Sequence, residues 1–92
     1  MNQEQATAQA EKIFNSAADY FDDPVMSFWN RFGQRTVEHL QLQPGDKVLD
    51  VCCGIGASAI PAAIQVGATG SVLGADLAES LLVLARHKSR QL

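Results

Sequence analysis

Apolar residues in the first forty positions recur at helical intervals and predict two amphipathic helices. The first runs from about residue 3 to residue 21, with apolar residues three or four positions apart along one stripe. An Asp-Asp-Pro sequence at 22–24 interrupts it. Asp23 is suited to cap a second helix that has Pro24 at its first position. That helix extends to about Leu40, and Gly33 within it slightly weakens the prediction.

After a Gln-Pro-Gly-Asp turn at 43–46, the pattern changes to short apolar runs. Residues 47–51 form one strand candidate, which we expect to be buried, and residues 71–76 form a second. A helix rich in small residues, at 57–66, connects them, and another helix follows at about 78–88. This order is a βαβα unit, in which the two strands should lie parallel with a right-handed crossover.

The predicted fold class is α/β, with N-terminal helices followed by the first βαβα unit of an incomplete Rossmann-like parallel sheet. We divide the chain into a helical segment, 1–44, and the βαβα portion, 45–92. Two parallel strands leave an unpaired edge. If the chain folds alone, we expect a homo-oligomer to cover that edge.

Composition limits the range of functions. The 92 residues suffice for one small domain, and the net charge of −3 does not favour a nucleic-acid partner. No apolar run is long enough for membrane insertion, and the N-terminus does not resemble a signal peptide. The two cysteines are adjacent, which excludes a disulfide framework and makes a reducing cytoplasm the expected location.

The candidate site is the glycine-containing turn that follows the first strand. In open α/β sheets, ligands bind at the carboxyl ends of the strands, where both Asp50 and Asp76 are expected. Asp76 lies twenty residues after Gly56, the spacing of an acid that accepts hydrogen bonds from a ribose. The alternative is that Asp76 only caps the following helix.

Two nucleotide ligands compete for this turn. Residues 54–59 fit the G-x-G-x-x-A pattern of dinucleotide sites. However, Asp50 lies four residues before Gly54 and would repel a pyrophosphate. S-adenosylmethionine instead carries a sulfonium and an ammonium, which a carboxylate attracts. Charge therefore favours the methyl donor.

The sequence at 48–56 resembles the first motif of class I S-adenosylmethionine-dependent methyltransferases, and 72–77 resembles their second-strand motif. The sequence at 14–21 is similar to that of the menaquinone/ubiquinone-biosynthesis branch. One departure is that Cys52 occupies the first glycine position. The resemblance implies a small-molecule methyl acceptor. It also implies that the remaining strands and the catalytic residues lie beyond Leu92, so that the chain is a fragment.

Transferred by position, the family's roles fall first on the two acids and the glycines. Asp50 would orient the amino group of S-adenosylmethionine, and Asp76 would bind the ribose hydroxyls. Leu77 would pack on the adenine. Gly54 and Gly56 would permit close approach of the methionine part.

The resemblance assigns further cofactor contacts to Cys52, Cys53, Ile55 and Tyr20. Cys53 and Ile55 would contribute backbone atoms, while Tyr20 would close over the cofactor. A metal or redox role for the two thiols has little support, because no C-x-x-C or histidine cluster accompanies them. We expect small buried thiols instead.

The aromatic stripe Phe28, Trp29 and Phe32 could line a substrate pocket, but its helical spacing is more typical of a core. Two other functions remain open from the sequence. One is a fragment of a nicotinamide-dependent oxidoreductase, which Asp50 disfavours. The other is a non-enzymatic interaction module in which the glycine turn is only architectural.

Overall fold

The computed structural model describes residues 1–21 and 23–92. The N-terminal helices lead into a two-stranded sheet whose strands are each followed by a helix. In chain order the elements are α1 (Gln3–Phe21), a 3-10 helix (Pro24–Met26), α2 (Phe28–Leu40), β1 (Lys47–Val51), α3 (Ala59–Val66), β2 (Ser71–Ala75) and α4 (Glu79–Ser89). The predicted α/β class and element order are confirmed.

The second helix begins later than its sequence predicts. The carboxylate of Asp23 accepts the Val25 N–H at 2.9 Å, but the turn that it caps is the 3-10 helix. There the N–H of Ser27 reaches back three residues to the Pro24 carbonyl, so the chain is wound too tightly for an α-helix. The α-helix itself begins at Phe28. The predicted break at Asp22 lies outside the described residues.

The two strands pair in parallel, as predicted. Lys47 lies opposite Ser71, and Val51 lies opposite Ala75. Asp50 is within β1, whereas Asp76 follows the last residue of β2. Both carboxylates therefore lie toward the carboxyl end of the sheet, although β2 ends one residue earlier than expected.

The prediction that β1 is a buried strand is wrong. Successive strand side chains point to opposite faces, and α3 packs against the sheet on one of them. Val48 and Val72 are half-buried on that face. Leu49, Val51 and Leu73 are 63%, 67% and 68% exposed on the other face. We call these three the bare sheet face.

The N-terminal helices pack against the βαβα portion: α1 contacts α4, and α2 contacts α3. Ala18 of α1, Ile55 of the glycine turn, and Ala78 and Leu81 at the start of α4 form one buried cluster. This packing places the helices beside the carboxyl ends of the strands. No helix in the described ranges is long and apolar enough to cross a membrane.

Candidate cofactor-binding site

A cavity of about 570 Å³ lies between the glycine turn and the N-terminal helices, a volume typical of small-molecule sites. The strand ends and the turn supply one wall: Asp50, Cys52, Cys53, Gly54, Ile55, Ala57, Ser58, Asp76 and Leu77. The helices α1 and α2 supply the other: Ala10, Phe14, Trp29, Phe32, Gly33 and Thr36. Leu81 of α4 completes the lining. The site is therefore assembled from segments that are distant in sequence.

Asp76 holds the turn to the end of β2. Its Oδ2 accepts the N–H of Gly54 at 2.8 Å, and its Oδ1 accepts the N–H of Ala78 at 2.8 Å. The Cys53 N–H also donates to the Ala75 carbonyl at 3.0 Å. Asp76 thus links two segments, the glycine turn through Gly54 and the start of α4 through Ala78. Each carboxylate oxygen keeps a further acceptor site, so these bonds are compatible with ribose binding.

Asp50 has an unpaired acceptor at the cavity. Its Oδ2 is buried and accepts no hydrogen bond from the residues that the structure describes. Burial raises the pKa of Asp50, and the neighbouring charge of Asp76 raises it further. The charged side chains among the described lining residues are these two carboxylates. The cavity therefore favours a cationic donor at Asp50 and disfavours phosphate.

Cys52 has a left-handed backbone, with φ of +61°. Glycine adopts this conformation without a steric cost. This explains why the family motif has a glycine at the position that Cys52 occupies here. The Cys52 side chain is exposed, so the expectation that both thiols are buried is wrong for this residue. The strand has ended and the chain is turning at Cys52.

Cys53 is buried, as expected. Its side chain lies against Gly74 of β2, where an added Cβ would be 2.8 Å from the Sγ. Burial raises the pKa of the Cys53 thiol, and the charges of Asp50 and Asp76 add to the effect. Within the described residues there is no cluster of three side chains that could hold a metal.

Gly54 and Gly56 have different structural roles in the turn. Both have positive φ, +55° at Gly54 and +89° at Gly56. An added Cβ at Gly54 would meet open space, so a ligand can approach its backbone. Gly56 is buried against Ile60 and shapes the turn. This turn continues through Ser58, which is why α3 begins at Ala59 rather than at Ala57.

The remaining predicted site residues, Ile55, Leu77 and Tyr20, differ in exposure and in whether they line the cavity. Ile55 is 3% exposed, and its side chain belongs to the buried cluster even though it also lines the cavity. Leu77 is 47% exposed and lines the cavity. Tyr20 is 68% exposed and is not among the described lining residues.

Phe14, Trp29 and Phe32 form what we call the aromatic wall of the cavity. Trp29 is 42% and Phe32 62% exposed, so the interpretation of this stripe as core is wrong. Phe28 supports it, with its ring centroid 5.0 Å from that of Trp29 and 6.0 Å from that of Phe32. Helical spacing alone could not show what the stripe faces.

Gly33 is a site residue that the sequence did not reveal. It lines the cavity and is buried, and a Cβ there would overlap the carbonyl oxygen of Ala57. The glycine allows α2 to approach the turn that leads into α3. Its presence in the middle of a helix was the available signal, since such a glycine commonly has a packing reason.

Comparison with known proteins shows the family. A family model described as the ubiE/COQ5 methyltransferase family matches residues 2–92. The chain belongs to this family. Membership favours the methyl donor over a nicotinamide dinucleotide and over a purely architectural glycine turn.

Individual relatives agree. The chain is 37% identical, over 84% of its length, to a demethylmenaquinone methyltransferase of Lysinibacillus sphaericus. It is 36% identical, over 91% of its length, to a 2-phytyl-1,4-naphtoquinone methyltransferase of Synechococcus elongatus. It is also 32% identical, over 90% of its length, to the aklanonic acid methyltransferase DauC of a Streptomyces species. The chain spans 35% of the first two relatives and 38% of the third.

A solved structure supports the fold. A SAM-dependent methyltransferase from Aquifex aeolicus is similar over 84% of this chain and 40% of its own length, with a TM-score of 0.65 and 26% sequence identity. The two strands and their flanking helices thus match part of a larger methyltransferase fold.

Proposed function

We propose that this chain is the S-adenosylmethionine-binding portion of a small-molecule methyltransferase. The observation that carries the proposal is the buried, unpaired Oδ2 of Asp50 in a cavity whose charged lining is two carboxylates. A buried acceptor without a donor is costly unless a ligand supplies one. The ammonium group of the cofactor is such a donor. When bound, the cofactor would supply an electrophilic methyl group.

The roles of the individual residues follow from their placement. Asp50 would receive the ammonium, and Asp76 would accept the ribose hydroxyls at its remaining acceptor sites. The open backbone at Gly54 would lie against the methionine part, and Leu77 would pack on the adenine.

The other turn residues contribute less directly. Cys52, Cys53 and Ile55 would present backbone atoms to the cofactor, and Gly56 would set the path of the turn. Tyr20 would close over the bound cofactor if α1 shifts, because its side chain now points to solvent.

We further propose an aromatic, quinone-like methyl acceptor. Two relatives are named for naphthoquinone-type compounds, and the aromatic wall offers flat apolar surface on which a ring can stack. In this proposal the segment 1–44 covers the site that 45–92 builds. The chain would work in the cytoplasm, where its free thiols stay reduced.

A homo-oligomer is the proposed partner arrangement of this 92-residue chain. Parallel sheets are normally covered on both faces, whereas the side chains of the bare sheet face are exposed here. A second copy that packs on this face and its adjoining strand edge would bury them.

Calorimetric titration tests the cofactor proposal. S-adenosylhomocysteine retains the ammonium and the ribose, so it should bind saturably, whereas NAD should not bind. Asp50→Asn should weaken S-adenosylhomocysteine binding about 10- to 100-fold, as expected for the loss of a hydrogen bond to a charged group. Binding of NAD alone would contradict the proposal.

Asp19→Asn is the matched control. Asp19 is an exposed carboxylate of α1 and is not among the described lining residues, so its neutralisation changes the net charge equally. The affinity of Asp19→Asn for S-adenosylhomocysteine should equal that of the unmodified chain. Equal losses in both variants would show a general charge effect and not a site at Asp50.

A further inference from the structure

Asn15 makes a long-range hydrogen bond that connects α1 to α4. Its Oδ1 accepts the N–H of Ser80 at 2.9 Å, across 65 positions of the chain. Ser80 is the second residue of α4, and the first N–H groups of a helix have no partner inside that helix. Asn15 thus satisfies from another helix a donor that α4 leaves open.

The N-terminus of α4 lacks a cap of its own. Its N-cap residue is Ala78, which makes no side-chain cap hydrogen bond. Asparagine is among the most effective capping side chains, and in this protein α1 supplies it. The same interface contains Ala18 of α1, which is buried with Ala78 and Leu81. The interface between α1 and α4 therefore combines apolar packing with the directional hydrogen bond of Asn15.

The segment that Asn15 holds is the one that carries Asp76. Ala78 donates to Oδ1 of Asp76 and Gly54 donates to Oδ2, each at 2.8 Å. A continuous set of contacts thus runs from α1, through the first residues of α4, to the glycine turn. Phe14, the residue directly before Asn15, lines the cavity, as does Ala10 earlier in α1.

We propose that Asn15 is a positioning residue of the cofactor site. Its bond to Ser80 holds residues 76–80 in the conformation in which Asp76 accepts from Gly54, and it keeps Phe14 at the cavity. Asn15 itself touches no cofactor. The proposal rests on the proposed function for its ligand arm and on the hydrogen bonds of Asn15 and Asp76 for the rest.

Amide hydrogen exchange of the ligand-free chain tests the structural part. Asn15→Ala removes the acceptor, while alanine preserves the helical tendency of α1. The N–H groups of Gly54, Ala78 and Ser80 should then exchange about two- to thirtyfold faster, the range expected for a lost helix cap. Strand amides that pair β1 with β2 should not change. Asn15→Asp retains the acceptor and should restore slow exchange.

Ser16→Ala is the matched control, because the Ser16 hydroxyl donates within α1, to the Lys12 carbonyl, and makes no bond to α4 among the described residues. It should leave all of these amides unchanged. Uniformly faster exchange across the chain in Asn15→Ala would indicate a merely structural role and overturn the proposal. So would unchanged exchange at Gly54.

The ligand arm uses S-adenosylhomocysteine. Asn15→Ala should weaken its binding by no more than the exchange factor, since affinity falls with the population of the competent state. Asn15→Asp should bind as the unmodified chain does. If the unmodified chain binds no S-adenosylhomocysteine, the proposed function fails, while the exchange pattern still decides the role of Asn15.

Discussion

Asp50 and Cys52 both bear a local energetic cost at the cavity. Asp50 has a buried carboxylate oxygen without a donor among the described residues, and Cys52 has a left-handed backbone that a side chain disfavours. Costs of this kind persist where a ligand or the surrounding structure compensates for them. They lead to three predictions at the scale of single residues.

Asp50→Asn should raise stability and lower affinity at neutral pH. The folded-state pKa of Asp50 is raised, so its contribution to stability is present below its ordinary pKa and is lost as pH rises through the raised value. Asparagine does not ionise, so Asp50→Asn avoids the loss of stability that accompanies ionisation of Asp50. Thermal unfolding at several pH values should show the largest gain at neutral pH and none in acid.

The same titration governs binding. S-adenosylhomocysteine affinity should decrease as pH falls through the raised pKa of Asp50, because protonation removes the attraction to the ammonium. In Asp50→Asn this dependence should disappear. A pH dependence of affinity that is identical in both chains would show that another group titrates.

Cys52→Gly should stabilise the protein by about 0.5–1 kcal/mol. Glycine relieves a left-handed conformation that costs an ordinary residue about 1–2 kcal/mol, offset by about 0.5–1 kcal/mol of chain entropy. Urea unfolding measures the difference. Cys52→Ala retains the strained Cβ and should give no gain, so an equal gain in both variants would attribute the effect to removal of the thiol.

The sequence was sufficient to predict most of the lining residues on the strand side, but not those on the helical side. Asp50, Gly54 and Asp76 stand at the ends of apolar runs, and local order places them at one edge of a parallel sheet. Trp29 and Phe32 carry no such positional information. Whether a helical stripe is core or cavity wall depends on what packs opposite to it.

At the scale of elements, the approach of α2 to the glycine turn depends on Gly33. The helix meets the backbone of Ala57 without an intervening side chain. This contact sets the height of the aromatic wall above the turn. Helix propensity alone would treat the glycine as a weakness.

Gly33→Ala therefore distinguishes packing from helix propensity, because the two effects change the stability of the protein in opposite directions. On an exposed helix surface this change stabilises by about 0.5–1 kcal/mol. Here the Cβ would overlap the Ala57 carbonyl, so we expect destabilisation of about 1–3 kcal/mol. Denaturant unfolding measures it.

Gln34→Ala provides the control on the same helix, since Gln34 is exposed. It should change stability by less than about 0.5 kcal/mol. If Gly33→Ala were also neutral or stabilising, α2 would not lie as close to the turn as the structure shows.

At the scale of the whole molecule, the sheet is covered unequally. α3 packs on one face, while the bare sheet face exposes Leu49, Val51 and Leu73. Contiguous apolar surface of this kind favours association. This 92-residue chain should therefore self-associate in a concentration-dependent manner.

Leu73→Lys should shift the chain toward monomer in sedimentation-velocity experiments, because a charge on the bare sheet face would be buried on association. Val83→Lys is the control: Val83 is 54% exposed and belongs to α4, so it is not part of the bare sheet face. A monomeric unmodified chain at all concentrations would refute the proposed oligomer. An equal effect of both lysines would show non-specific association.

The sequence by itself determined the order of elements, the parallel βαβα unit and the acid–glycine–acid arrangement, because each depends on short-range periodicity and turn chemistry. Tertiary structure alone decided three other features: the unpaired oxygen of Asp50, the aromatic wall, and the hydrogen bond between Asn15 and Ser80. These depend on which surfaces meet across distant parts of the chain, and residue spacing does not record that.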